Sequence, residues 1–390
     1  MATLKDVARA AGVSVMTVSN VFNGTGRFSA QVRDRVREAA EQVGYAGPDP
    51  AAASLRRGRT GTIGVVLPLP LETAFADPAM TAFLQGVARA FHRHGTGMTL
   101  LALPPAVGPL GRDVETPLEQ VARAPLAALE KAVIDAALLH SVEEDHDGLA
   151  VLAKRGLPVL AVDSPGRESG AARFGAAWAG FVTVDDRAGA YAAARHLTGL
   201  GHRRAVILVD RLAAQPRIGP LPWTRAMADV TSAVVRQRLT GYRDAWTEGG
   251  LSPEDLGVVE CGTNDPAAAR RAVRGLLSRH GPRPTAVLAV SDSLALGACH
   301  AAHEHGLSVP HDLSVLGYDD SPAAATASVP LTTVHQPTDG KGETAARLLL
   351  ERIGQRSATP AAAALELPTR LVVRSSTAAA PETKVNDRRR

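Results

Sequence analysis

Apolar positions in the first sixty residues recur at helical spacing in three short blocks. Leu4, Val7, Ala8 and Ala11 fall at i, i+3, i+4 and i+7, one face of a short helix. Gly12 follows, suited to the left-handed conformation that ends a helix. Ser14 is placed to cap a second helix, with Val18, Val21 and Phe22 as its apolar contacts. Gly24 and Gly26 interrupt the chain. Ser29 then opens a third helix, whose buried side is Val32, Val36, Ala39 and Val43 and whose end is Gly44. Two helices joined by a short turn containing Gly form the helix-turn-helix pattern, and three such helices can close a small core.

Beyond residue 61 the pattern changes. Continuous apolar runs occur at Ile63–Leu67, Met98–Leu103, Val133–Leu139, Val159–Val162, Ala205–Val209, Val287–Val290 and Leu313–Leu316. They alternate with helical patterns at Met80–His94, Arg187–Leu200, Arg238–Glu248, Pro266–His280 and Ser293–Gly306. Runs that are apolar throughout fit strands buried on both faces of a parallel sheet, so two α/β units in tandem are predicted. Arg56-Arg57-Gly58-Arg59-Thr60-Gly61 reads as a basic, flexible joint before them. Residues 210–235, with Pro216, Pro220, Pro222 and Trp223, fit neither pattern. So long a connection is either functional or disordered.

Composition narrows the class. The 390 residues are 45% hydrophobic, 21% charged and 4% aromatic, which fits a globular chain too long for one ordinary domain. Its two cysteines, Cys261 and Cys299, lie far apart in sequence and read against a disulfide framework, hence for a reducing cytoplasm. The opening Met1-Ala-Thr-Leu-Lys-Asp lacks the apolar stretch of a secretion signal. No apolar run approaches bilayer length, so no membrane partner is expected. Charge is unevenly placed. Residues 1–60 carry nine Lys or Arg against five acids and the other 330 carry 34 of each, so the formal net charge of +4 sits in the N-terminal segment. A basic module on a neutral body points to a polyanionic partner, although a three-helix bundle with a solvated basic face has the same composition.

In a helix-turn-helix the second helix meets the major groove near its N-terminus, which makes Val15, Met16, Thr17, Ser19 and Asn20 the candidate DNA contacts. The hydroxyls of Thr17 and Ser19 have the reach to hold phosphate oxygens. In open α/β sheets ligands bind beyond the carboxyl ends of the strands, a rule that selects Asp77, Asp163 and Asp292. Cys299 and His303 stand one helical turn apart, but a metal site recruits further ligands from elsewhere. Gly340-Lys341 lacks the following Ser or Thr and the leading glycine of a phosphate loop. With no nucleophile elbow, HExxH or dinucleotide fingerprint, neither an enzyme nor a cofactor is expected.

The segment Leu4-Lys-Asp-Val-Ala-Arg-Ala-Ala-Gly-Val-Ser-Val-Met-Thr-Val-Ser-Asn-Val-Phe-Asn-Gly24, with Val36-Arg-Glu-Ala-Ala-Glu-Gln-Val-Gly-Tyr45, resembles the headpiece of the lactose-repressor (LacI/GalR) family of bacterial transcriptional regulators. Val182-Thr-Val-Asp-Asp-Arg-Ala-Gly-Ala190, Ser291-Asp-Ser-Leu-Ala-Leu-Gly297, Val309-Pro-His-Asp-Leu-Ser-Val-Leu-Gly-Tyr-Asp-Asp320 and Pro330-Leu-Thr-Thr-Val-His-Gln-Pro337 are similar to its core signatures. The resemblance implies an all-α helix-turn-helix headpiece followed by an α/β two-lobed core of the periplasmic-binding-protein type, with two parallel doubly wound sheets. The implied division is a headpiece at 1–47 and a hinge helix and linker at 48–60. One lobe then spans 61–184 with 321–357, and the other 185–320 with 358–377. The polar residues 378–390 are expected to be a disordered tail.

The same resemblance implies a homodimeric repressor of double-stranded operator DNA. Leu55, in Ala52-Ala53-Ser54-Leu55, would wedge into the minor groove. Arg238 and Asp292 would contact a small sugar-like or polyol effector between the lobes, with Phe75, Asp77 and Asp163 following a looser pattern. Asn20 stands where many members carry Arg. Two rival readings fit parts of the chain: a solute-binding protein of a transporter, against which the headpiece speaks, and a sugar kinase fused to a regulatory headpiece, against which the missing phosphate loop speaks.

Overall fold

The computed structural model describes residues 2–47, 58–103, 125–213, 215–279, 283–354 and 362–381. The chain divides into two compact units, Met1–Gly61 and Thr62–Arg390.

The first unit contains the three helices that the apolar spacing predicts: Leu4–Ala11, Val15–Phe22 and Ala30–Gln42. Their ends are set locally. Asp6 accepts from the backbone N of Thr3 at 2.9 Å, Gly12 takes φ +63, and Ser14 Oγ accepts from Thr17 N at 3.0 Å. Val7, Ala8, Ala11, Val18, Val36, Ala39 and Ala40 form the core, and the rings of Phe22 and Tyr45 meet edge-on at 5.5 Å.

The second unit holds two sheets. Strands β1 (Thr62–Leu67), β2 (Gly97–Ala102), β3 (Ala136–His140), β4 (Val159–Val162), β5 (Trp178–Val184) and β12 (Ala363–Leu367) form the first, in the order β12-β5-β4-β3-β1-β2. The second is ordered β13-β11-β10-β9-β6-β8-β7. Its strands are β6 (Ala205–Val209), β7 (Gly219–Leu221), β8 (Leu256–Glu260), β9 (Ala286–Ala289), β10 (Ser314–Asp319), β11 (Thr332–His335) and β13 (Arg370–Val372). All pairs are parallel except those of the edge strands β7 and β13. The central strands are buried along their whole length, as parallel strands covered by helices on both faces must be. In the first lobe the helices Pro78–Arg93 and Thr338–Gly354 pack together. They approach so closely that a Cβ on Gly86 would lie 1.9 Å from the carbonyl oxygen of Asp339.

The chain crosses between the lobes three times, and two crossings differ from expectation. Strand β11 pairs with β10 of the second sheet (Leu316 opposite Thr332), and β12 pairs with β5 of the first (Leu365 opposite Val182). The later crossings therefore follow His335 and Leu367, not residues 320 and 357. Sheet membership is settled by these long-range pairings, which leave no trace in local apolar spacing. The end of the core is also more fixed than expected: Ala378 N donates to Ser314 Oγ at 3.1 Å, and Ala380 N to the Leu200 carbonyl at 2.8 Å. Residues 382–390 lie outside the described residues, as do residues 48–57 of the expected hinge, including Leu55. Among the described residues no helix is long and apolar enough to cross a membrane.

Candidate functional site

In the headpiece, the start of the second helix exposes two apolar side chains, Val15 at 41% and Met16 at 69% of their surface. Exposed apolar groups on a basic module suit contact with thymine methyls. Thr17 Oγ1 lies 2.9 Å from Ser14 Oγ, and Ser19 Oγ accepts from Asn23 Nδ2 at 3.2 Å. Asn20 Oδ1 accepts from Thr25 Oγ1 at 3.3 Å. Its amide NH2 makes no hydrogen bond among the described residues, so one face stays available. The sequence-predicted contacts thus share one helix, Val15–Phe22.

In the core, two of the predicted ligand residues, Asp163 and Asp292, follow the carboxyl ends of β4 and β9. Arg238 is buried on the helix Ala233–Glu248. Its Nε donates to Asp186 Oδ1 at 2.7 Å, Nη1 donates to the Val290 carbonyl, and its guanidinium lies 3.6 Å over the Tyr318 ring. Asp319 Oδ1 is 4.0 Å away. This is a desolvated ion pair, not a surface one.

Asp292 opens the helix Asp292–Glu304, but Ser291 supplies the cap, accepting from Leu294 N at 3.2 Å. The Asp292 carboxylate instead accepts from Ser321 N at 2.7 Å and from Thr333 Oγ1 at 2.6 Å. Burial pushes its pKa up to about 6. Gly317 makes room for it: a Cβ there would lie 2.3 Å from Asp292 Oδ1.

Asp163 accepts from Lys341 Nζ at 2.7 Å and from Thr183 Oγ1 at 3.1 Å. Burial raises its carboxyl, but the Lys341 charge, the neighbouring His140 and the hydrogen bonds from Lys341 and Thr183 together more than offset this, leaving it below the usual carboxylate range. Lys341 Nζ also reaches Gln336 Oε1 at 3.4 Å, and Gln336 Nε2 donates to Asp319 Oδ1 at 2.6 Å. A polar chain thus joins Asp163 of the first lobe to Asp319 of the second. Burial holds Asp319 well above the carboxylate range and pushes His140, beside Asp163, down to about 4.

Asp77 caps the helix Pro78–Arg93 through Ala79 N at 2.8 Å, and its other oxygen accepts from Asn264 Nδ2 of the second lobe at 2.9 Å. Phe75 is 60% exposed and stands apart from this network.

Backbone conformation marks the same place. Among the described residues the non-glycines with positive φ are Ser141 (50), Asp163 (65), Asp319 (112) and Asp320 (58), all at the ends of β3, β4 and β10. Each costs about 1–3 kcal/mol, and such residues gather at functional sites. Sequence reasoning found Arg238, Asp292 and Asp163 but missed Asp186, Asp319, Gln336 and Lys341. The strand-end rule could have found the first two, which follow or close β5 and β10 directly. Nothing local marks the others.

Two hollows of about 290 and 580 Å³ lie elsewhere, on the second lobe around Tyr191, Arg195 and Gly199. Neither is lined by a buried carboxylate or guanidinium, so the interlobe cluster carries the stronger chemical case. It offers carboxylate acceptors and guanidinium and ammonium donors in a desolvated setting, suited to gripping a hydroxyl-rich ligand through charge-assisted bonds. Among the described residues no group of three His, Cys, Asp or Glu is arranged for a metal ion.

Comparison with known proteins agrees with both parts. Residues 3–47 match bacterial regulatory proteins of the lacI family, and residues 194–377 match a periplasmic binding protein-like domain. The chain is 36% identical to the HTH-type transcriptional regulator Rv3575c of Mycobacterium tuberculosis over 380 residues, covering 97% of this chain and 98% of the relative. It is 32% identical to the HTH-type transcriptional repressor PurR of Klebsiella pneumoniae over 385 residues, 98% of each. A solved complex of the transcriptional regulator CelR with cellobiose superposes with TM-score 0.63 at 29% identity, covering 96% of this chain and 100% of that one. With a matching headpiece, a two-lobed core and relatives similar along the whole length, the chain belongs to the lacI family of DNA-binding bacterial transcriptional regulators.

Proposed function

We propose that this regulator is a homodimeric repressor that acts in the cytoplasm, with operator affinity set by a small sugar or related polyol held between the core lobes. The observation that carries the ligand reading is the buried cluster of Arg238, Asp186, Asp319, Asp292 and Asp163 at facing strand ends. Arg238 keeps Nη2 without a partner among the described residues, which leaves a donor for ring hydroxyls. The similarity to a repressor and to a cellobiose-bound regulator supports the same reading.

In this reading residues 1–47 read the half-site through Val15, Met16 and Asn20, while residues 48–60 form the hinge, with Leu55 as the minor-groove wedge. The ligand acts by binding one lobe arrangement better than another, since equal affinity would shift no equilibrium. The test is operator binding by fluorescence anisotropy, on a site obtained by selection, while sugars and polyols are titrated in. Asp292→Ala and Arg238→Ala are expected to keep operator binding and lose the ligand response. Unchanged ligand affinity in both variants would move the pocket elsewhere.

A further inference from the structure

Residues 210–235, to which local sequence assigns no element, are built into the second lobe. Leu212, Ala226 and Val230 are buried in its core, and β7 extends its sheet alongside β8. Buried Glu260 accepts from Leu212 N at 2.7 Å and from Arg217 N at 2.6 Å. Thr231 N donates to the Leu212 carbonyl at 2.7 Å, which closes the segment at its base.

That base faces Glu143 of the first lobe. Glu143, between β3 and the helix Asp147–Arg155, places Oε1 3.2 Å from Thr231 Oγ1, whose single proton it shares with the Leu212 carbonyl, also at 3.2 Å, and the same oxygen is 3.9 Å from Arg211 Nη2. The Glu143 side chain is 17% exposed and that of Arg211 31%, so water only partly screens the pair. The next residue, Glu144, is anchored within the first lobe by Gly166 N at 3.0 Å and Ser169 Oγ at 2.8 Å. Glu143 is therefore presented by a fixed turn. The Asp77–Asn264 bond is a further bridge between the lobes beside the Asp163–Lys341–Gln336–Asp319 chain, with Asn264 held in turn by the Ser291 hydroxyl.

We propose that Glu143, with Arg211 and Thr231 from the base of the 210–235 segment, is a clasp that sets the resting balance between open and closed lobes. Glu143 is then a positioning residue for the regulatory response, acting without touching ligand. Both of its partners sit on the opposite lobe, so opening breaks both contacts together. A ligand can shift the balance only by its difference in affinity for the two arrangements, and a population already biased to the binding arrangement raises its apparent affinity. Only this last consequence rests on the ligand reading above.

The clasp is tested on the full chain without ligand or operator. Spin labels at exposed Arg167 and Glu254, in a Cys261→Ala, Cys299→Ala background diluted with unlabelled chains, report the interlobe distance. Glu143→Ala is expected to shift the distribution to longer distances. Arg211→Ala should shift it the same way, and the double variant no further than the larger single effect, because the pair acts as one unit. Glu143→Gln, which keeps an acceptor for Thr231 but no charge for Arg211, should fall between. Raising the salt concentration should move the unsubstituted protein part of the way. Distributions for Glu143→Ala and Arg211→Ala that coincide with the unsubstituted protein overturn the clasp and leave the ligand reading intact. Failure of every polyol to bind would overturn the ligand reading and leave the clasp standing.

Discussion

Lys341 Nζ donates to Asp163 Oδ2 at 2.7 Å across 178 residues of sequence, and both side chains are buried. Removing one partner of such a pair strands a charge away from water, at a cost of about 3–5 kcal/mol. Lys341→Met should therefore destabilise the core by that order, while the double variant Lys341→Met, Asp163→Leu recovers much of the loss. Urea unfolding of the three proteins checks this. The Asp163 pKa lies below its unfolded value, so its contribution is present at neutral pH and disappears as pH falls below about 4.

Asp292 has the opposite sign. Its folded pKa of about 6 exceeds an unfolded value of about 4, so its ionisation costs the folded chain stability as pH rises between the two. Asp292→Asn should lack that part of the pH dependence, whatever its absolute stability. Ligand affinity should rise through the same window in the unsubstituted protein, because the ionised carboxylate accepts hydroxyl protons best. Calorimetric titrations from pH 5 to 7, on the order of half a unit apart, would show a flat affinity if Asp292 is not a ligand group.

Arg238 is held by its shape as well as its charge. Arg238→Lys keeps the charge but cannot bond Asp186 and the Val290 carbonyl from one planar group stacked on Tyr318. It is expected to lose ligand affinity about as fully as Arg238→Ala, with a smaller loss of stability. A lysine variant with full affinity, measured by calorimetry, would show that charge alone is read.

In the headpiece, Asn20→Ala should relax preference at one base position of the half-site by ~1–3 kcal/mol, the usual worth of a bidentate amide–adenine contact. Binding-site selection on both proteins is the check, and an identical motif from the variant would remove Asn20 from base reading.

The headpiece was legible because its determinants are local. Ser14 and Ser29 cap helices a few residues away, Gly12 ends one, and the apolar face of each helix repeats at 3.6 residues. The inner strands were legible for a related reason: β4, β6 and β9 are apolar throughout because both faces are covered. Strand β11 was not, since the hydroxyls of Thr332 and Thr333 are buried by virtue of polar partners, Thr377 and Asp292, that lie far away in the chain. Likewise Arg238 was within reach of the resemblance alone, and Asp292 and Asp163 of both the strand-end rule and the resemblance. Asp186 is 52 residues from Arg238, and Lys341 is 178 from Asp163. A sequence displays charges but not the distances between them, and a charge can be buried only where its counter-charge arrives. Local periodicity and caps therefore determined the headpiece and the parallel core, whereas tertiary pairing decided where the chain crosses between lobes, how the 210–235 segment is used and which ions meet in the cleft.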